Sequence, residues 1–353
     1  MVKNLKKKER WQQSRILPLL AMMGALFMVQ QFSLGMQASK RLRSLSATSR
    51  QDKIVMQRTV GGDTTTEQAR WTKYRSLYQY KPPATVPALV EATSAGTTNW
   101  QQSAECITAP DFLDYFQLPL KVRSRNDEDR IIYHTFFKDN LSTLLQEEAG
   151  TYVELGAFDG RIESNSRFFD ACLGWKGLLI EGNPDSYKKL VNNRPNAHRM
   201  SFAPSCSAEY EATNRTVQFA KYPMTNAGLK GKAKTYDQKP MVDVPCGPLG
   251  PVLQDVFEGQ SINFLSLDVE GAEPMVLETI DFDKVKIHVL MVEVQNTFCG
   301  AECKSREETR AIMKRAGYLR YENIVVASDV YVHPNSPFRL PPGSAYTPAA
   351  EES

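Results

Sequence analysis

Val153-Glu154-Leu155-Gly156-Ala157-Phe158-Asp159-Gly160 decides how this chain is read. The apolar run from Tyr152 to Leu155 predicts a buried strand, and Gly156 to Gly160 predicts a glycine turn after it. Such a turn brings backbone N–H groups against a ligand. Leu178-Leu179-Ile180-Glu181 follows as a second buried strand ending in a carboxylate. An acid at that place in a doubly wound α/β sheet accepts hydrogen bonds from ribose hydroxyls. Loop and acid together predict a pocket for a nucleoside-containing cofactor.

The glycine spacing narrows the choice. A dinucleotide fingerprint, G-x-G-x-x-G, leaves room for a pyrophosphate at a helix N-terminus. Here only Gly156 and Gly160 are present, and Glu154 inside the strand would repel a pyrophosphate. Glu154 suits a cationic ligand, such as the amino and sulfonium groups of S-adenosylmethionine. The bland alternative is an ordinary strand–turn–helix, because short glycine motifs arise often without function.

Alternating apolar runs and helical patterns extend the sheet. Asp127-Glu128-Asp129 opens a helix carrying Ile131, Ile132, Phe136 and Phe137. Asn183-Pro184 reads as cap and first-turn proline of another. Strands are expected at His198–Pro204, Ile262–Val269 and Ile287–Val294, with an extra hairpin strand at Thr216–Phe219. Ser305-Arg306-Glu307-Glu308 predicts a capping box, and Gly317 the stop of that helix. Tyr318 to His333 predicts a terminal hairpin turning near Ser328-Asp329. The expected fold class is therefore α/β, a Rossmann-like sheet, mostly parallel with an antiparallel terminal hairpin. Met224 to Gln238, with Gly228, Gly231 and few apolar residues, is a candidate substrate loop or a plain surface excursion.

Asp268 and Glu270 sit two apart at the end of the fourth of these strands, so both point to one face. Ligands in open α/β sheets bind beyond the carboxyl ends of the strands. Both acids are candidates for a catalytic base, the alternative being that one caps the helix beginning near Gly271. Glu273 reads as a first-turn dipole partner. Glu293, ending the fifth strand, is a weaker candidate. No metal ligand is assigned. A divalent ion on two or three of these oxygens would be Mg²⁺ rather than zinc, without positive support. His134 reads as a solvent-facing helix position.

"YVELGAFDG" with "SNSRFF" (Ser164–Phe169), "GWKGLLIEGNP" (Gly174–Pro184), "NRP" (Asn193–Pro195) and "FLSLDVEGAE" (Phe264–Glu273) resemble the FkbM-type methyltransferases, from about Tyr133 to about Pro334. The resemblance implies the class I methyltransferase fold, S-adenosylmethionine as cofactor and O-methyl transfer. It implies that Glu154, Gly156, Ala157, Asp159 and Gly160 cradle the methionine part. Glu181 and Asn183 would serve the ribose side, with Asp268 and Glu270 at the reaction centre. The commoner family form has Asn where Phe158 stands, which removes hydrogen bonds to the cofactor.

The net charge of +3 hides an asymmetry. Residues 1–50 carry ten Lys/Arg and one Glu, and the remainder is net −6. An acidic body argues against a nucleic-acid partner. The basic start precedes an uncharged stretch, Ile16 to Ser39, whose apolar part to Met36 reaches the roughly 20 residues that span a bilayer. The expected organisation is a cytosolic tail (1–15), a signal anchor (16–36), a stem (37–105), the methyltransferase domain (106–336) and a disordered tail (337–353). The alternative for the stem is an N-terminal embellishment packed on the domain through Tyr74, Leu77, Tyr78, Tyr80 and Trp100. Lys40, Arg41 and Arg43 on the other flank weaken the orientation, and an organelle presequence is the main competitor. Six cysteines and the sequons at Asn140 and Asn214 fit a lumenal body. Cys206 and Cys246 are candidates to staple neighbouring segments, and Cys299 and Cys303 to close a small ring. The expected protein is a type II membrane protein of the endoplasmic reticulum or Golgi. It would methylate a glycan or another hydroxyl-bearing secretory product. The alternative is a non-catalytic trafficking protein or chaperone that retains the fold.

Overall fold

The computed structural model describes residues 64–84, 106, 110–140, 150–213, 216–222, 224–232, 238–294 and 301–349. The tail, the anchor, the sequon at Asn214 and the side chains of Cys299 and Cys303 lie outside these residues. Among the described residues no helix is long and apolar enough to cross a membrane.

Helix α1, Thr64–Leu77, comes first, followed by α2, Glu128–Ile132, which runs on as a π-helical turn through Phe137. The sheet then builds through β1 (Thr151–Leu155), α3 (Arg167–Ala171), β2 (Lys176–Ile180), α4 (Pro184–Asn193) and β3 (His198–Met200). A separate antiparallel pair follows, β4 (Thr216–Ala220) with β5 (Met241–Pro245). Then come α5 (Leu249–Val256), β6 (Ile262–Leu267), α6 (Glu273–Leu277), β7 (Ile287–Glu293), α7 (Ala301–Arg315), β8 (Leu319–Val325) and β9 (Ser328–Val332).

The main sheet has the order β3-β2-β1-β6-β7-β9-β8. Its first five strands are parallel, and β9 lies antiparallel between β7 and β8. This is the expected Rossmann-like layout, mostly parallel with an antiparallel terminal hairpin. The order reverses between β1 and β6, so their carboxyl ends frame a crevice.

Alternation along the strands makes two cores. Val153, Leu155, Leu178, Ile180, Leu265 and Leu267 face α5, α6 and α7. Tyr152, Leu179, Phe264, Val289 and Met291 face the aromatic cluster of Phe137, Phe168, Phe169 and Trp175. Full burial of each such side chain contributes about 1.5–3 kcal/mol. Disulfides Cys106–Cys172 and Cys206–Cys246 tie the periphery, the second as expected.

Several boundaries differ from expectation. The segment read as a stem is part of the domain over residues 64–84. Tyr74, Tyr78 and Tyr80 are buried in the core, and Lys81 bridges Arg199 on the edge strand β3. Four aromatic rings in ten residues supply the apolar area a free spacer lacks. Likewise residues 337–349, expected as a disordered tail, hold buried Phe338 and hydrogen-bond Ala349 N–H to the Arg320 carbonyl (2.8 Å). Helix α7 is already running at Ala301, so Ser305 is internal to it rather than its cap. Ala, Glu and Lys ahead of Ser305 are strong helix formers. The terminal hairpin turns at Val326-Ala327, not Ser328-Asp329, because Asp329 is buried against Arg310 (2.7 Å).

Candidate functional site

The site forms where the loops after β1, β2 and β6 meet. Gly156 has φ 79°, and a Cβ there would fall 1.8 Å from the Asp268 carbonyl oxygen. Only glycine allows the β1 loop to approach the end of β6 this closely. The loop's own amides are engaged: Gly156 and Ala157 N–H donate to the Ile180 carbonyl (3.1 Å each). Phe158 N–H donates to Glu181 Oε2 (2.7 Å).

Glu181 is 6% exposed and also accepts from Asn183 N–H (2.6 Å). Burial pushes its carboxyl up to about 7, against the lowering effect of these amides. Asn183 caps α4, accepting from Asp185 N–H (3.0 Å) and Ser186 N–H (3.4 Å). Its Nδ2 reaches the Ala220 and Tyr222 carbonyls, at 3.3 and 3.1 Å, linking α4 to the small sheet.

Two adjoining cavities share Gly156, Phe158, Thr225, Asp268 and Glu270. The first is mostly apolar, walled by Ile180, Phe202, Phe219, Leu229 and Val276, with Glu181 and Asn183 in its lining. Met224, Thr225, Ala227 and Leu229 of the candidate loop supply part of that wall. The second is polar, with Arg125, Asn126, Glu128, Asn165 and Glu293 in its lining.

Asp268, Glu270 and Glu293 bring carboxylate oxygens within 4.8 Å of one another. Hard oxygen donors in this number suit Mg²⁺, and acidic clusters also occur without an ion. Burial raises the Asp268 carboxyl, and burial with the charges of Asp268, Glu270 and Glu273 pushes Glu293 far above its ordinary range. A shared proton relieves the repulsion, with the Glu293 carboxyl donating to the Asp268 carboxylate. Glu270 sits in the left-handed region (φ 58°) and faces both cavities. No side chain caps α6; Glu273, in its first turn as expected, accepts from the loop amides Val269 N–H (3.0 Å) and Gly271 N–H (3.1 Å).

Not every expected residue meets the crevice in the same way. Glu154 lines the second cavity, yet its carboxylate accepts from Ser164 Oγ, Asn165 N–H and Ser166 Oγ at 2.6–2.8 Å. It shares the face of Tyr152, so it orders the segment before α3. Asp159 and Gly160 line neither cavity. Asp159 closes its own turn, accepting from Arg161 N–H (2.9 Å) and Ile162 N–H (2.8 Å). Ala157 lines only the second cavity. His134 is exposed and lines neither, as expected. Sequence reasoning missed Arg125, Asn126, Glu128, Asn165 and the wall from Phe202 to Ser205. The helix signal at Asp127–Asp129 marked Glu128 for another role.

The strand order, the glycine contact with β6 and the buried acid after β2 agree with a match to a protein-family description. Residues 154–320 match the description of a methyltransferase FkbM domain. Remote structural likenesses accompany it. Fibrillarin of Aeropyrum pernix, with natively bound S-adenosyl-L-methionine, is 9% identical at TM-score 0.28, over 54% of this chain and 73% of that one. A SAM-dependent methyltransferase of Aquifex aeolicus is 12% identical at TM-score 0.28, over 58% and 96%. An O-methyltransferase of Bacillus cereus in complex with SAH is 10% identical at TM-score 0.30, over 63% and 88%. No curated protein matches the chain. The FkbM match over residues 154–320, rather than these likenesses, carries the similarity to a methyltransferase family.

Proposed function

We propose that the FkbM domain transfers a methyl group from S-adenosylmethionine to a hydroxyl of a glycan or other secretory product, in a membrane-anchored lumenal protein. The observation that carries the reading is the pair of joined cavities of opposite character. The apolar one, with Glu181 in its lining, fits an adenosine, and the acidic one fits the ammonium and sulfonium groups. Asp268 and Glu270 lie at their junction, where the sulfonium methyl would sit.

The chemistry is an in-line displacement. The Asp268 carboxylate takes the acceptor hydroxyl proton as the oxygen–methyl bond forms and the methyl–sulfur bond breaks. The sulfur would be left as a neutral thioether, with the electron pair of the broken methyl–sulfur bond. Glu293, protonated beside Asp268, keeps a negative charge off its own carboxyl in this crowded place. Alignment of acceptor and methyl within the crevice supplies the remainder of the barrier reduction.

Two disulfides among the described residues support an oxidising compartment. The test is calorimetry of the detergent-solubilised full chain with S-adenosylhomocysteine and with nicotinamide dinucleotides. A labelled-methyl screen over secretory glycans then follows. Binding of the first ligand alone is expected. Binding of neither would move the reading to the non-catalytic trafficking role.

A further inference from the structure

We propose that Asn193 and Arg194, at the C-terminal end of α4, are positioning residues that hold the β1 loop in its cofactor-binding geometry. The inference rests on the cofactor reading above. Asn193 Nδ2 donates to the Asp159 carbonyl (2.8 Å), and Arg194 Nη1 donates to the Gly160 carbonyl (3.1 Å). These two consecutive carbonyls close a turn with unusual backbone. Phe158 has φ 46° and Gly160 φ 76°, both left-handed. A bulky residue in that region is kept there by its surroundings, not by its own preference.

The same turn aims the ribose acid, because Phe158 N–H donates to Glu181 Oε2 (2.7 Å). Carbonyls fixed from α4 and the amide that orients Glu181 are at most two residues apart. Releasing the first rotates the second. Arg194 itself is buried and engaged on every nitrogen. Nε donates to Asp170 Oδ2 (2.5 Å), Nη1 also to Ser164 Oγ (3.1 Å), and Nη2 to Tyr152 Oη (2.7 Å) and Ser166 Oγ (3.2 Å). Ser164 and Ser166 are the hydroxyls that donate to Glu154. One planar fork thus ties the loop, β1 and the start of α3 together. A lysine ammonium, a point charge, does not reproduce that set of directions. Neither Asn193 nor Arg194 lines either of these two cavities, and Asn193 reaches the site only through the loop carbonyl it holds.

The test compares Asn193→Ala and Arg194→Lys with Tyr152→Phe in the full chain. The last removes a bond of the same guanidinium on the side away from the loop. Melting point, hydrogen exchange over residues 153–163 and affinity for S-adenosylhomocysteine are measured for each. The first two variants are expected to speed exchange at the Phe158–Gly160 amides and to weaken binding, each at least fivefold. Tyr152→Phe is expected to lower the melting point and to change neither. Wild-type exchange and affinity in Asn193→Ala would overturn the proposal, and that variant decides alone if Arg194→Lys does not fold. Wild type that fails to bind S-adenosylhomocysteine would overturn the cofactor reading instead. Loop exchange would still decide the positioning role.

Discussion

Glu181 carries the sharpest expectation at the scale of single residues. Glu181→Ala removes a charged acceptor of ribose hydroxyls, each charge-assisted bond contributing about 1.5–3 kcal/mol, so S-adenosylmethionine affinity falls at least about tenfold. Calorimetry on folded variant measures it, and an unchanged dissociation constant removes Glu181 from the site. Its carboxyl, pushed up to about 7, also predicts that affinity climbs as pH rises through neutrality, since the ionised form is the better acceptor. Asp268→Asn is nearly isosteric but takes no proton. Methyl transfer is expected to drop about 10²–10⁴-fold in a labelled-methyl assay, with cofactor affinity within a few-fold. Full activity would refute the base. Asp268 and Glu270 were legible as crevice residues because they follow the carboxyl end of β6, where open α/β sheets bind ligands. Glu154 was harder to read. Its type and place in the motif are those of a ligand-facing acid, but strand parity turns it towards Ser164 and Ser166. Arg194 stood inside the NRP motif without a legible role, since its five donors find partners scattered from Tyr152 to Asp170.

Elements with long apolar runs were the most legible: β1 and β2 end where the runs predict, and β6 and β7 stop two residues and one residue short of the expected carboxyl ends. At β6 the ladder stops at Leu267, and Asp268 lines both cavities; at β7 Glu293 still pairs with Ser328 on β9. The π-helical turn Tyr133–Phe137 leaves no mark in a period read as α-helix. The start of α4 was legible from Asn183-Pro184, and it yields a prediction. Asn183→Ala loses the cap and the bonds to Ala220 and Tyr222, costing about 1–2 kcal/mol and lowering the melting point by a few degrees. Hydrogen exchange in β4 should quicken in the same variant. Slowed or unchanged exchange there would show that the small sheet does not depend on this side chain.

For the whole molecule, pH sets stability through its buried acids. Glu181 and Glu273 are each raised from 4.5 to about 7, so between those values the folded chain binds protons that the unfolded chain releases. Their contribution is complete below about pH 4.5 and is lost as pH rises through about 7. The ligand-free protein should therefore be more stable at pH 5.5 than at pH 8, by about 2 kcal/mol per group. Denaturant melts at both values check this, and Glu181→Gln should remove its share. Topology is tested by glycan mapping: sugar on Asn140 or Asn214 places the body in the lumen, and a chain beginning near Ala38 shows a cleaved signal instead. The domain's extent was the least legible property. Polar composition around Tyr74, Tyr78 and Tyr80 masks their spacing onto one core. The bridge from Lys81 to Arg199 has a practical consequence for anyone trimming this protein. A fragment cut at residue 106 would uncover the outer hydrogen-bonding rim of β3 and hollow the core beside it. Such a fragment would be expected to pair with copies of itself and precipitate, and its silence in a binding assay would report on the cut.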